Sequence, residues 1–168
     1  GEQTEESQPD DEEKQRRQEE LNDKLVEAAD RGNNEDVIQH ISDGAEITSR
    51  DYNGDTGLHI SAIWGHKDVL QTFISHKADL NIRGEHQRTP LMTAANYGQL
   101  SCAQLLVAHG ADTDLQTGSG LTALMYAAER DYPDIISALL AHGANYTIQD
   151  KKGRDALKWA EINNSQDA

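Results

Sequence analysis

Apolar and polar positions along this 168-residue chain fall into blocks that recur. Within one block Leu58, Ala62 and Ile63 lie at helical spacing, and Gly65 stands where a helix would stop. A second helix is read over 68–74, Asp-Val-Leu-Gln-Thr-Phe-Ile. In later blocks, His109-Gly-Ala-Asp112 and His142-Gly-Ala-Asn145 read as a helix stop followed by a tight turn. Each block thus predicts helix, turn, helix and a protruding loop. Residues 1–20 break the pattern, with no Ala, Val, Ile, Leu, Met, Phe, Trp, Tyr or Cys among them.

The blocks share a period of 33 residues. Leu25, Leu58, Leu91, Leu124 and Leu157 keep phase without an insertion. Ala45, Ala78, Ala111 and Ala144 form a second register, and Gly32, Gly65 and Gly98 a third that Asp131 continues. Glycine suits a left-handed position after a helix, and aspartate is among the few other residues that tolerate it. A helix pair of this size cannot bury its own apolar face, so neighbours must stack into one core with polar ends. Small residues at 61, 62, 94, 95, 127 and 128 let first helices approach closely. Leu105, Leu106, Leu139 and Leu140 fill the space between second helices. Asn22, Asp23, Lys24, Glu27 and Asp30 provide a polar first end, and Glu161 replaces an expected alanine at the last.

Thr89-Pro-Leu-Met-Thr-Ala-Ala95, Thr56-Gly-Leu-His-Ile-Ser-Ala62, Gly65-His66 and Gly110-Ala-Asp112 together resemble the ankyrin repeat pattern over residues 21–162. The resemblance implies an all-α ankyrin solenoid of helix-turn-helix units with protruding β-hairpin loops. Full repeats are expected at 51–83, 84–116 and 117–149, between an N-terminal capping repeat at 21–50 and a C-terminal half repeat and tail at 150–168. Gly57 and Ala123 stand in place of a helix-initiating proline, Lys77 in place of a turn glycine, and Asp131 in place of the inter-helix glycine.

Charge narrows the function. Thirty acidic and fifteen basic residues give a net charge of -15. Such a protein is repelled by phosphate backbones and anionic lipid, so neither nucleic acid nor membrane is an expected partner. Residues 1–20 hold nine acids against three bases. That composition reads as a polar tail, while Pro9, early acids and later bases favour a helix from about Asp10 that extends the first cap. Cys102 is the single cysteine, which excludes an intrachain disulfide and a cysteine-based zinc site. The compartment stays open between cytoplasm and, with a leader removed ahead of Gly1, a bacterial periplasm.

No hydrolase nucleophile motif, phosphate loop or paired-histidine zinc motif occurs. The expectation is therefore no enzyme activity, no cofactor and no metal. His76, His109 and His142 share one position near second-helix ends, where they would cap carbonyls. His59 and His66 match positions that the resemblance marks as structural.

The resemblance further implies a concave face, lined by loop tips and first helices, that contacts a protein partner. At the free position before the inter-helix glycine stand Arg31, Trp64, Tyr97 and Arg130, residue types enriched at binding hot spots. Loop positions add Arg50, Tyr52, Asn53, Asp55, Arg83, His86, Arg88, Ser119 and Leu121 as partner-binding candidates. A structural alternative has Trp64 stacking on Tyr97, with Arg31 and Arg130 closing the row by cation–π contact. Tyr126 and Trp159 share a register with Ile60 and are expected in the core or cap. The five arginines at 31, 50, 83, 88 and 130 suggest a face that receives carboxylates. The expected function is a monomeric protein-binding module, an inhibitor or self-protection factor masking a partner enzyme. The alternative is a scaffold or localisation adaptor with the acidic N-terminal segment as second contact.

Overall fold

The computed structural model describes residues 10–166. The first helix, α1, runs Asp11–Arg31 and continues unbroken from the acidic segment into the cap. Acids in its first turn and Arg31 in its last complement the helix dipole. Residues 1–9 of the acidic stretch lie outside the described residues. Four helix pairs and a final single helix then follow the 33-residue phase. α2 spans Asn34–Ser42, α3 Gly57–Trp64, α4 Lys67–Ser75, α5 Pro90–Tyr97 and α6 Leu100–Ala108. α7 spans Ala123–Arg130, α8 Pro133–Ala141 and α9 Ala156–Gln166.

First helices pack on first helices, α1 to α3 to α5 to α7 to α9, and second helices on second helices, α2 to α4 to α6 to α8. The two layers enclose one continuous core. Ala62, Ala94, Ala95 and Ala127 are fully buried where first helices meet. Phe73, Leu106 and Leu139 are buried on the second-helix side. Of the in-phase leucines, Leu25, Leu58, Leu91 and Leu124 are at most 3 % exposed, but Leu157 is 68 % exposed. Among the described residues no second helix follows α9 to cover it. Trp159 is half-buried in this cap, its indole N–H donating to Asp150 Oδ2 at 3.2 Å under the Arg154 guanidinium. Tyr126 is buried in the core.

Threonine begins each inner first helix for a local reason. Thr89 and Thr122 accept the amides of Met92 and Met125 on their Oγ1 at 3.3 Å. The same methionine sulfurs face back to the threonine amides at 3.4 and 3.5 Å. In the first full repeat His59 takes the methionine's place, its Nδ1 accepting the Thr56 amide at 3.2 Å.

The inter-helix glycines answer two demands. Gly32, Gly65 and Gly98 have φ of 71°, 73° and 71°, and each is also covered by a side chain of the next repeat. A Cβ would lie 2.6 Å from the His66 ring, 2.5 Å from Gln99 Oε1 and 2.8 Å from the Tyr132 ring respectively. Asp131 shares the left-handed backbone at φ 58°, but α9 runs past the corresponding register without a turn. The backbone constraint persists there and aspartate meets it. Lys77 likewise adopts φ 60° in its turn.

The loops are tighter than hairpins. Among the described residues the β-pairing is one isolated antiparallel bridge, Arg50 to Thr56, so the expected hairpin strands are reduced to turns. Each tip closes in a short turn, as the Asp51 amide donates to Asp55 O at 2.8 Å and the Thr117 amide to Leu121 O at 2.9 Å.

Gly57 replaces proline because of what lies beneath it. A Cβ on Gly57 would sit 2.1 Å from the Phe73 ring. One and two repeats later the same pair of positions reads Pro90 with Leu106 and Ala123 with Leu139. The larger ring therefore demands the smaller partner. Gly57→Ala, which helix propensity alone would favour, is predicted to lower stability by about 1–3 kcal/mol through overpacking. Gly57→Pro combined with Phe73→Leu is predicted to restore it, as read by urea unfolding.

Candidate functional site

A groove of about 710 Å³ opens on the concave side, between the first-helix row and the loop tips of the N-terminal half. α1 contributes Asp23, Val26, Glu27 and Asp30, and the following loop contributes Arg50, Asp51, Tyr52 and Asn53. Ile60, Ile63 and Trp64 of α3 form its floor and wall, with Glu85 and Tyr97 at the far side. The volume lies within the roughly 300–1,000 Å³ of ligand-sized sites, enough for one or two inserted side chains.

The aromatic residues are presented to solvent. Tyr52 is 98 % exposed, Trp64 59 % and Tyr97 46 %. Trp64 is held by its indole N–H, which donates to Asp30 Oδ1 at 2.9 Å. The guanidinium–ring contacts among the described residues lie elsewhere, Arg88 over Tyr126 at 5.1 Å and Arg154 over Trp159 at 4.2 Å. Arg31 faces Glu27 at 3.7 Å, one turn away on the same helix. Cation–π closure of the Trp64–Tyr97 row is therefore not how the face is built.

Of the thirteen sequence candidates, the groove unites Arg50, Tyr52, Asn53, Trp64 and Tyr97. The exposed Arg31, Ser119 and Arg130, the exposed His86 and the half-buried Leu121 lie outside its lining. Asp55 needs correction as a contact residue: it is only 4 % exposed, and its Oδ1 accepts the Glu85 amide of the next repeat at 2.9 Å. Arg88 is likewise drawn inward, its Nε donating to the Tyr126 hydroxyl at 3.2 Å.

Arg50 and Arg83 act first as inter-repeat stitches. Arg50 Nη1 donates to Gly54 O and to Arg83 O, both at 2.6 Å. Arg83 Nη1 donates to Gln87 O at 2.9 Å and Gln116 O at 2.8 Å. Gln116 repeats the motif, donating to Gly120 O at 2.9 Å and Gln149 O at 3.1 Å. A neutral amide thus serves where the arginines serve, and the ladder rather than the charge explains the residue type. The arginine-rich face expected from register carries, at its groove, five carboxylates against one guanidinium.

Those carboxylates are what sequence reasoning missed. Asp23, Glu27 and Asp30 read as the polar end of a cap, and Asp51 and Glu85 are not among the sequence candidates. Register held the missing signal: Glu27 and Asp30 are in phase with Ile60 and Ile63, residues of the groove wall.

The loop at 84–88 departs from its neighbours. His86 and Gln87 adopt φ of 54° and 58°, and at the position of Gln87 the other loops carry Gly54, Gly120 and Gly153. Left-handed backbone at non-glycine residues costs about 1–3 kcal/mol each when surroundings impose it. At the start of this loop there is no room for a side chain, since a Cβ on Gly84 would meet Asp55 Oδ1 at 2.3 Å and His59 Nε2 at 2.7 Å.

His59 ties this loop to its helix. Its Nδ1 accepts the Thr56 amide, so Nε2 carries the proton and donates to Arg88 O at 2.9 Å. Burial pushes its pKa below the ordinary histidine value and the Arg50 charge adds to this, outweighing the Arg88 carbonyl and the Asp55 carboxylate. His76, His109 and His142 cap their helices, as Nδ1 of each faces the carbonyls of Thr72, Leu105 and Ala138 at 2.8–2.9 Å. Among the described residues no three metal-ligating side chains cluster, and no helix is long and apolar enough to cross a membrane. Cys102 is buried with its thiol pKa pushed up to about 11, which leaves it a packing residue.

The family model described as ankyrin repeats (3 copies) matches residues 25–117 and 107–168. The chain belongs to the ankyrin repeat family. An ankyrin repeat protein of Rickettsia felis, RF_p14, is 42 % identical over 57 residues, 34 % of this chain and 90 % of that protein. Ankyrin repeats are generally protein–protein interaction modules and typically non-catalytic.

A neutral His59 in the fold and a protonating one in the unfolded chain set a pH dependence. Below the unfolded value of about 6.5 the unfolded state binds the extra proton, so stability falls as pH falls. The urea midpoint is predicted to drop between pH 7 and pH 5. His59→Met, the residue the next two repeats carry, is predicted to flatten that drop.

Proposed function

We propose that this chain is a non-catalytic binding module whose protein partner docks into the concave groove walled by Trp64, Tyr97 and Tyr52. The observation that carries this reading is the exposure of three aromatic side chains around one concavity. Large exposed aromatics in a concave, partly apolar setting are the side chains that dominate binding energy at interfaces. A partner surface seated in this groove is masked by it, which supports the reading as an inhibitor or self-protection factor of a partner enzyme. The α1 extension, on which Asp11, Glu12, Glu19 and Glu20 are exposed, supports a second reading as a scaffold or localisation adaptor with two contacts.

Affinity capture with the chain as bait tests this. Replacing Trp64 and Tyr97 together by alanine is predicted to remove the partner from the eluate. The melting temperature is predicted to move by no more than about 4 °C, because both side chains lie outside the core. Retention of the partner by the double variant would overturn the reading. Loss of the partner's catalytic activity on mixing distinguishes an inhibitor from an adaptor, which changes only its location.

A further inference from the structure

The groove's charge says what chemistry its occupant carries. Asp23, Glu27, Asp30, Asp51 and Glu85 edge it, and Arg50 is the single cation in its lining. The Arg50 charge is directed at two backbone carbonyls rather than at these acids. Arg31 offsets Glu27 only weakly, at 3.7 Å with both side chains largely exposed. Asp30 places a carboxylate against the indole edge of Trp64, so the ring face and the negative charge are offered together. The apolar floor of Val26, Ile60 and Ile63 lowers the local dielectric and strengthens any charge that complements this rim. An anionic occupant meets repulsion here and from the net charge of -15.

The geometry points to a basic segment of the partner protein, led by an arginine side chain, as the occupant of this groove. This rests on the reading above that the groove is the partner face. A guanidinium fits both features: its flat face stacks on indole or phenol rings, and its donors pair with carboxylates. A strongly hydrated point charge uses only the second feature.

The test uses the full chain and blocked octapeptides of alternating Arg and Gly, citrulline and Gly, or Glu and Gly. Binding is followed at the Trp64 indole N–H by 15N NMR. The arginine peptide is expected to shift that resonance saturably, more weakly as salt rises, and the citrulline and glutamate peptides to leave it unmoved. Neutralising the rim by Asp23→Asn, Glu27→Gln and Asp30→Asn is expected to weaken binding about tenfold, at several tenths of a kcal/mol per exposed charge. The same charge change among the second helices, by Glu35→Gln, Asp43→Asn and Asp134→Asn, is expected to leave it within about twofold, since charges beyond a Debye length of roughly 8–10 Å are screened. Equal weakening by both triple variants, a Trp64 resonance unmoved by the arginine peptide, or preference for the glutamate peptide would overturn the proposal. A captured partner that needs Trp64 and Tyr97 yet ignores rim neutralisation overturns the basic occupant and leaves the binding-module reading standing. A partner indifferent to Trp64 and Tyr97 overturns that reading even where the arginine peptide fills the groove.

Discussion

Coverage of one helix pair by the next is the interaction on which everything else in this molecule depends. An eight- or nine-residue helix with its partner exposes more apolar surface than it buries alone, so each repeat borrows its core from its neighbours. That need explains the alanines between first helices, the larger side chains between second helices and the strict spacing of 33. It also explains why polar side chains bond across the same joints. Arg50, Arg83 and Gln116 each reach a carbonyl 33 residues on. Gln99 Nε2 reaches back to Ile63 O, and His66 Nε2 to Asp30 O. Apolar stacking brings the repeats together, and these bonds hold their register.

The same dependence accounts for the places where the chain leaves its own pattern. Phe73 is tolerated because Gly57 makes room for it, and Asp131 because no following turn lays a side chain over it. The left-handed His86 and Gln87 sit above Gly84, where Asp55 and His59 crowd the backbone. None of these is a defect of the repeat. The Gly57–Phe73 pair is a local exchange of volume between residues that touch.

The groove lies on a surface that the stack leaves open. At its N-terminal half the polar helix that caps the core also supplies one wall of the groove. Residues such as Asp30 therefore serve solubility of the end and shape of the site at once. Tyr52, Trp64 and Tyr97 stand exposed outside the core, while Ile60 belongs to the core and to the groove floor together.

The period and the helices were legible in the amino-acid order, because they rest on patterns that recur within 33 residues. Tyr52, Trp64 and Tyr97 were legible as candidates for the same reason, since register separates free positions from core positions. The burial of Asp55, the use of Arg50 and Arg83 as stitches and the acidic rim were not. Each depends on contacts between residues some 30 positions apart. There, the direction of a side chain and the nearness of a carbonyl decide whether a charge faces solvent, backbone or groove. Sequence alone determined that this is a stack of helix pairs in a 33-residue period. Only the packing of α1 and its loop against α3 decided which residues share the groove, because electrostatics follow distances that periodicity does not specify.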